Sequence, residues 1–234
     1  MASIKVMSAG AVQSMVTAIG AEFERSTGHW LDLNFGTAGS LRTRFLGGEP
    51  ADLIILPDDS IATLEKKGLL LNGSAKDLGR TITGVAVREG AAAPDISTPE
   101  AFKQVLLAAK SVAYSDPQAG GSSGTFFAEL LQQLGIAEEV NHKAVLGKRG
   151  YEVAQAVADG RAEIGTTFIS EILTVPGVKV IGPLPGALHN ANTYTAAIPK
   201  DAVQPEAARA LLRVLTDPAS RPRWTAAGLE PAFA

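Results

Sequence analysis

The chain has 234 residues, 46% of them hydrophobic, enough to bury a core as one large domain or as two lobes of about 100 residues each. Its 21 basic and 24 acidic side chains leave a net charge of −3 with no long run of one sign, which argues against the basic footprint of a nucleic-acid partner. The absence of cysteine excludes disulfides, thiolate catalysis and zinc–sulfur sites, and no apolar run approaches the roughly 18 residues needed to insert in a membrane.

In chain order, "IKVMSAG" reads as a short strand ending in small residues, and "VQSMVTAIGAEFERSTG" as an amphipathic helix stopped by Gly28. "WLDLNFGTAGS" is a strand followed by a glycine-bearing turn, and "LRTRFLGG" a short helix predicted to start just after Gly39 and Ser40. "ADLIILP" is a buried strand by its apolar run, and "DSIATLEKKGLL" a helix predicted to be capped by Asp59 or Ser60. This βαβαβα order predicts a parallel-rich sheet with helices on both faces.

A second series begins at "TITGVAVREG" and continues through the strand "SVAYSDP", the helix after "QAGGSSGT", the helix "YEVAQAVADG", the strand "AEIGTTF", the short helix "ISEIL" and the strand "GVKVIGPLP". The strand "NTYTAAIP" and helices at Pro205 to Leu215 and about Arg221 to Ala227 complete the chain. No Pro/Gly/Ser linker separates the two series, so the lobes are expected to interleave through crossing strands that form a hinge. Lobe one is assigned to 1–80 plus 196–234 and lobe two to 81–195.

Small-residue turns follow three strands, at Ser8 to Ser14, Gly36 to Arg42 and Gly120 to Thr125. Such turns let backbone N–H groups converge at a helix N-terminus, where unpaired donors and the positive dipole end favour an anion without any cation. Ligands of open α/β sheets collect at the carboxyl ends of strands. The ligand-binding candidates are therefore Ala9, Gly10, Ala11, Thr37, Ala38, Gly39, Ser40, Ser122, Ser123, Gly124 and Thr125. None of the turns has the Gly-Lys-Ser/Thr ending of a P-loop or the dinucleotide fingerprint.

Arg42 falls in the first turn of its predicted helix, beside a positive dipole end, so it either meets an anion or is a solvated surface cation. Arg149, in the loop before a helix, has the same two readings. Glu171 ends a strand and could act as a general base, but Ser170 and Glu171 could equally cap the helix they begin, and capping is the preferred reading. His189 and Tyr194 are the other candidate catalytic residues. Asp116 with Pro117 is expected to shape a turn, Tyr114 to pack, and the dispersed His29 and His142 to lie at the surface. No metal-ligand spacing and no cofactor motif is present, and no G-x-S-x-G elbow supports hydrolysis.

Through "MSAGAVQSM", "EFERSTG", "FGTAGSLRTRF", "ADLIILP", "GTFFAELLQQLG", "AEIGTTFISEI" and "GVKVIGPLP" the chain resembles the type II periplasmic binding proteins. The resemblance is to the molybdate-binding-protein-like family, and "ISEILTVPGVKVIGPLP" is most similar to its aconitate-isomerase-like branch. It implies two lobes that close over a ligand in a central cleft. In molybdate binders two serine hydroxyls and a tyrosine hydroxyl hold the oxyanion, and the matching positions here are Gly10, Ala38 and Phe168, which have none. The family's amide donors would fall near Ser123 and Gly150, with Arg42 and Arg149 added. A small di- or tricarboxylate is therefore expected in place of molybdate, because guanidinium groups pair bidentately with carboxylates.

The resemblance leaves two alternatives, a cofactor-independent isomerase of an unsaturated, aconitate-like acid and a molybdate or tungstate receptor of an ABC transporter. The N-terminus enters a strand at once, so the chain is expected to be cytoplasmic as it stands, or periplasmic if a leader has been removed. Its partner is then the small anion alone or, if exported, an ABC-transporter membrane subunit as well.

Overall fold

A computed structural model describes residues 1–234. The chain divides into two units, Met1–Thr81 with Asn192–Ala234, and Ile82–Ala191.

The first unit opens with β1 (Ser3–Ala9), α1 (Gln13–Thr27), β2 (Trp30–Gly36), α2 (Ala38–Leu46), β3 (Leu53–Pro57) and α3 (Asp58–Lys66), followed by β4 (Lys76–Arg88), which runs on into the second unit. β1 lies between β2 and β3 and is parallel to both. The apolar run of β3, parallel to β1 on one side and antiparallel to a later strand on the other, is buried at every position, as expected for a strand covered on both faces. Gly28 ends α1 in the left-handed region, φ +70°, its N–H reaching Glu24 O.

Two helix starts differ from the sequence reading. α2 begins at Ala38, before Gly39 and Ser40, because the Thr37 side chain accepts from Ser40 N at 3.2 Å and caps it. α3 begins at Asp58 with Pro57 as its N-cap, which places Asp59 and Ser60 inside the first turn.

The second unit contains α4 (Pro99–Ala108), β5 (Val112–Ser115), α5 (Ser122–Gln133), α6 (Ala137–Asn141), β6 (Ala144–Gly147), α7 (Gly150–Ala158), β7 (Ile164–Phe168), α8 (Ile169–Ile172) and β8 (Val178–Pro183). β5 pairs in parallel with β6 and β7, and β4 pairs antiparallel with β7 and β8. Val85, Phe102, Leu106, Tyr114, Phe127, Leu131 and Ile164 form the core on one side of this sheet. Val153 and Val157 of α7 pack with Ala113 in another cluster.

The sequence reading did not anticipate α4, α6 or β6. For α4 the signal was present, since Thr98 caps the helix by accepting from Ala101 N at 3.1 Å, Pro99 opens it and Glu100 follows.

The chain then returns through β9 (Ala191–Ala197), antiparallel to β3, and continues into α9 (Pro205–Leu215), α10 (Arg221–Ala226) and β10 (Leu229–Pro231), which pairs with β4. Side chains fasten this return to the N-terminal part. Buried Asp52 accepts from Lys5 N at 2.9 Å and from Gln204 N at 2.7 Å, Thr195 Oγ1 donates to Asp77 at 2.6 Å, and Ser74 Oγ accepts from Ile198 N at 3.1 Å. Replacing Asp52 by Ala would leave two backbone donors without an acceptor. Asp52→Ala is therefore expected to lower urea-denaturation stability by about 2 kcal/mol or more, whereas Glu65→Ala on the exposed face of α3 should stay within about 0.5 kcal/mol of the parent.

Candidate functional site

In the first unit β1 and β2 end in register, with Ala9 opposite Gly36, so the turns into α1 and α2 emerge side by side. Ala9, Ala11 and Ala38 are buried, Gly10, Thr37 and Gly39 are half-buried, and Ser40 is exposed. The first intrahelical bond of α2 runs from Leu41 N to Thr37 O. The amides of Ala38 and Gly39 precede it and are the donors this helix end presents. Because α2 starts early, Arg42 occupies its second turn and is exposed, and the dipole argument for an anion beside it loses force. Arg44, which the sequence reading did not single out, is committed to Glu49 (Nε to Oε2 2.6 Å) and to Asn34 at 3.0 Å.

In the second unit β5 and β6 end in register at Ser115 and Gly147, which sets the starts of α5 and α7 on neighbouring strand ends. Asp116 shapes the intervening turn as expected, accepting from Gln118 N at 2.9 Å. α5 starts at Ser122 with Gly121 as N-cap and no side-chain cap, and Thr125 N to Gly121 O is its first intrahelical bond. The amides of Ser122, Ser123 and Gly124 therefore belong to its donor end. Two hydroxyls of these candidate residues bond within the protein. Ser123 Oγ is buried and donates to Ser115 Oγ at 3.2 Å, and Thr125 Oγ1 donates back to Gly121 O at 3.2 Å. Gly124 serves close packing, since a Cβ there would stand 2.4 Å from Ser115 O.

α7 is organised by Glu171. The Glu171 carboxylate accepts from the Gly150 amide at the start of α7 and from Thr167 Oγ1 at 3.1 Å. A Cβ on Gly150 would fall 1.9 Å from Glu171 Oε2 and 2.3 Å from Thr167 Oγ1, so only glycine admits the carboxylate. The preferred reading of Glu171 as the cap of its own helix is therefore corrected. α8 has Phe168 as N-cap and no side-chain cap, and the carboxylate reaches across to the neighbouring helix. The cause is geometric: a side chain in the first turn of a four-residue helix points at whatever packs beside it, and here that is the open end of α7. The Gly150 amide, expected to serve the ligand, is taken by the protein's own carboxylate.

Burial pushes the Glu171 carboxyl up to about 7, against the opposing pull of the Thr167 hydroxyl, the Gly150 amide and the positive charge of Arg149. Arg149 is half-buried, with its guanidinium 5.1 Å from the Tyr151 ring centre and Nε 3.9 Å from Glu152. Thr167, four residues before Glu171, is the hydrogen-bond partner that the sequence reading missed. The spacing was visible in "TFISE", but which side chain met which helix end was not.

Of the remaining candidates, His189 is exposed and follows a single 3-10 turn at Gly186–Leu188 in the second unit. Tyr194 belongs to the first unit, fully buried on β9 opposite Pro57. Phe168 is buried at the end of β7. Tyr114 packs against Phe127 and donates to Asn141 at 2.6 Å. His29 stacks on Phe23 and accepts from Ala2 N, and His142 is exposed. No group of three His, Cys, Asp or Glu side chains is placed to hold a metal ion, and no helix is long and apolar enough to cross a membrane.

Residues 4–230 match the family model of bacterial extracellular solute-binding proteins. The chain belongs to that family. Among its relatives, an aconitate isomerase of a Pseudomonas species is 31% identical over 98% of this chain and 88% of its own length. The molybdate-binding protein ModA of Azotobacter vinelandii is 27% identical over 73% of this chain and 66% of its own. The solved periplasmic molybdate-binding protein of Azotobacter vinelandii superposes with a TM-score of 0.75 over 97% of this chain and 98% of its own, at 21% identity. The type II periplasmic-binding-protein fold expected from the sequence is thus the fold of this solute-binding protein.

The raised Glu171 pKa makes folding pH-dependent. Because the folded value of about 7 lies above the ordinary 4.5, the group's contribution is fully present below about pH 4.5 and is lost as pH rises through about 7. Glu171→Gln keeps the shape and removes the titration. Urea denaturation from pH 4.5 to 8 should show the parent losing up to roughly 3 kcal/mol relative to Glu171→Gln, and parallel curves would show that Glu171 titrates normally.

Proposed function

We propose that this solute-binding protein captures a small organic anion with two or three carboxylates. In this reading the first unit offers the amides of Ala38 and Gly39 with Thr37, Ser40 and Arg42, and the second offers the amides of Ser122 and Ser123 with Arg149. The carrying observation is the residue set at three positions. Gly10, Ala38 and Phe168 supply no hydroxyl, so an oxyanion that depends on hydroxyl donors is poorly served, while helix-end amides and guanidinium groups suit carboxylates. The relation to an aconitate isomerase favours the same ligand class. Closure of the lobes on the ligand, as the family resemblance implies, belongs to this proposal. So does docking to an ABC-transporter membrane subunit if the protein is exported.

A second reading, isomerisation of an unsaturated carboxylic acid, is favoured by Glu171. A buried carboxyl that titrates at about 7 suits general-base work near neutral pH. The step would move the proton of a C–H bond beside the double bond to the base. The electron pair spreads into the conjugated carboxylate, helix-end amides stabilise that charge, and the proton returns to a different carbon as the double bond shifts. His189 and Tyr194 remain the other candidates for the base.

A thermal-shift screen of citrate, cis- and trans-aconitate, succinate, sulfate and molybdate tests the ligand class. Carboxylates should raise the midpoint most, and preferential stabilisation by molybdate or tungstate would overturn the proposal. Arg42→Ala should weaken carboxylate binding by about 30-fold, equivalent to about 2 kcal/mol, if the guanidinium pairs with a buried carboxylate. Small-angle scattering should show compaction on binding. Incubation of each bound acid in D₂O separates receptor from enzyme: deuterium in the ligand or a new isomer by NMR supports catalysis, and clear binding with neither rejects it for that acid.

A further inference from the structure

We infer that the Asn72–Gly73 pair is a site of spontaneous chemical modification, at which the folded protein loses ammonia and Asn72 becomes a mixture of aspartate and isoaspartate. The isoaspartate product loosens the attachment of the returning chain at Ile198. The inference is independent of the ligand reading, since its residues all lie in the first unit, between α3 and β4 and just after β9.

Sequence and turn geometry single out this pair. Among Asn34, Asn72, Asn141, Asn190 and Asn192, Asn72 alone precedes a glycine. Residues 71–74 form a tight turn closed by Ser74 N to Leu71 O at 3.1 Å, with φ +70° at Gly73 and a negative φ at Asn72. That is the pattern of a type II turn, which asks for glycine at its third position. Asn72 and Gly73 are both exposed. A Cβ on Gly73 would meet nothing within 4 Å, and its N–H makes no backbone hydrogen bond, so the nitrogen is open to approach by the Asn72 side chain. The Asp159–Gly160 pair could close the same ring but is held back. Gly160 N donates to Val157 O at 3.0 Å, and the Asp159 carboxylate accepts from Gln155 Nε2 at 2.8 Å and from Arg161 at 3.2 Å.

The chemistry needs only water. Solvent base removes the Gly73 N–H proton, the nitrogen attacks Asn72 Cγ, and the Cγ–Nδ2 bond breaks as ammonia leaves with a proton from water. A second water then opens the cyclic imide. Attack at Cγ gives aspartate, whereas attack at the main-chain carbonyl carbon of Asn72 gives isoaspartate, whose backbone runs through Cβ and Cγ. The turn sits between two anchors on one residue. Leu71 N donates to Ile198 O at 2.8 Å, and the buried Ser74 Oγ accepts from Ile198 N at 3.1 Å. An extra backbone atom between Leu71 and Ser74 lengthens the path between these anchors, so the turn loses its fit to Ile198. Plain aspartate leaves the path unchanged and adds only a charge exposed to water.

The test is prolonged incubation of the folded protein at pH 6 and pH 8, followed by ion exchange and peptide mapping by mass spectrometry, with Asn72→Ser alongside. The parent should gain an acidic species whose amide-to-acid mass change maps to Asn72, with isoaspartate exceeding aspartate, and Asn72→Ser should gain none at that peptide. Conversion should be faster at pH 8, because the attacking nitrogen must give up its proton. An unchanged Asn72 in the folded protein, or conversion seen only in urea, would overturn the site. Its consequence is read by hydrogen exchange on the purified isoaspartate form and on Asn72→Asp. The Ile198 amide should exchange about tenfold faster or more in the isoaspartate form and stay within about twofold of the parent in Asn72→Asp. Unchanged protection in the isoaspartate form rejects the loosening, and so does an equal acceleration in Asn72→Asp, which would assign the effect to charge.

Discussion

A carboxylate removed from water needs donors or a proton, and Glu171 is placed so that both are within reach. Its oxygens meet the first amide of α7 and a hydroxyl from β7, which ties together one helix end, one strand and the short helix that carries the glutamate. The arrangement depends on a residue with no side chain. Gly150 lacks the Cβ that would overlap the carboxylate, which is what lets Glu171 approach the start of α7. The register of the second unit sets the rest, since α5 and α7 begin where β5 and β6 end opposite one another.

The same economy of side chains runs through the strand ends of the first unit. Ala9, Ala11 and Ala38 are buried, and the Thr37 hydroxyl oxygen accepts from Ser40 N at the start of α2. What these turns present is mainly N–H groups. Backbone donors serve tetrahedral and planar anions alike, and positions 10, 38 and 168 carry no hydroxyl. The cations of the region are less committed to this task than their charge suggests. Arg44 is held by Glu49 and Asn34, and Arg149 lies beside Tyr151 and Glu152.

Capture of an anion and catalysis on it make different demands of a site. Both need anion-stabilising donors, and only catalysis needs a base whose proton affinity is near that of the medium. Burial gives Glu171 that affinity, while the Gly150 amide and Thr167 hold it back from rising further. The distinction lies in where a ligand's acidic carbon rests, which no residue of the chain determines alone.

Much of the fold was legible in the residues. The apolar run of β3, the 3.6-residue periodicity of α1 ending at Gly28, and α9 between Pro205 and Leu215 are local patterns whose cause lies within a few residues, and each was placed from sequence. β6 escaped because four partly exposed residues carry too little pattern, while α4 was signalled by Thr98 and Pro99 and went unread. The glycine-rich turns also mark helix ends in the sequence itself. Which donors those ends keep was decided only by tertiary structure. Thr125 turns back to Gly121, Ser123 turns inward to Ser115, and Glu171 crosses to Gly150. A hydrogen bond between residues 21 positions apart, as in the last case, depends on how β7 and α7 pack. Sequence fixes the groups available, and packing chooses which of them meet.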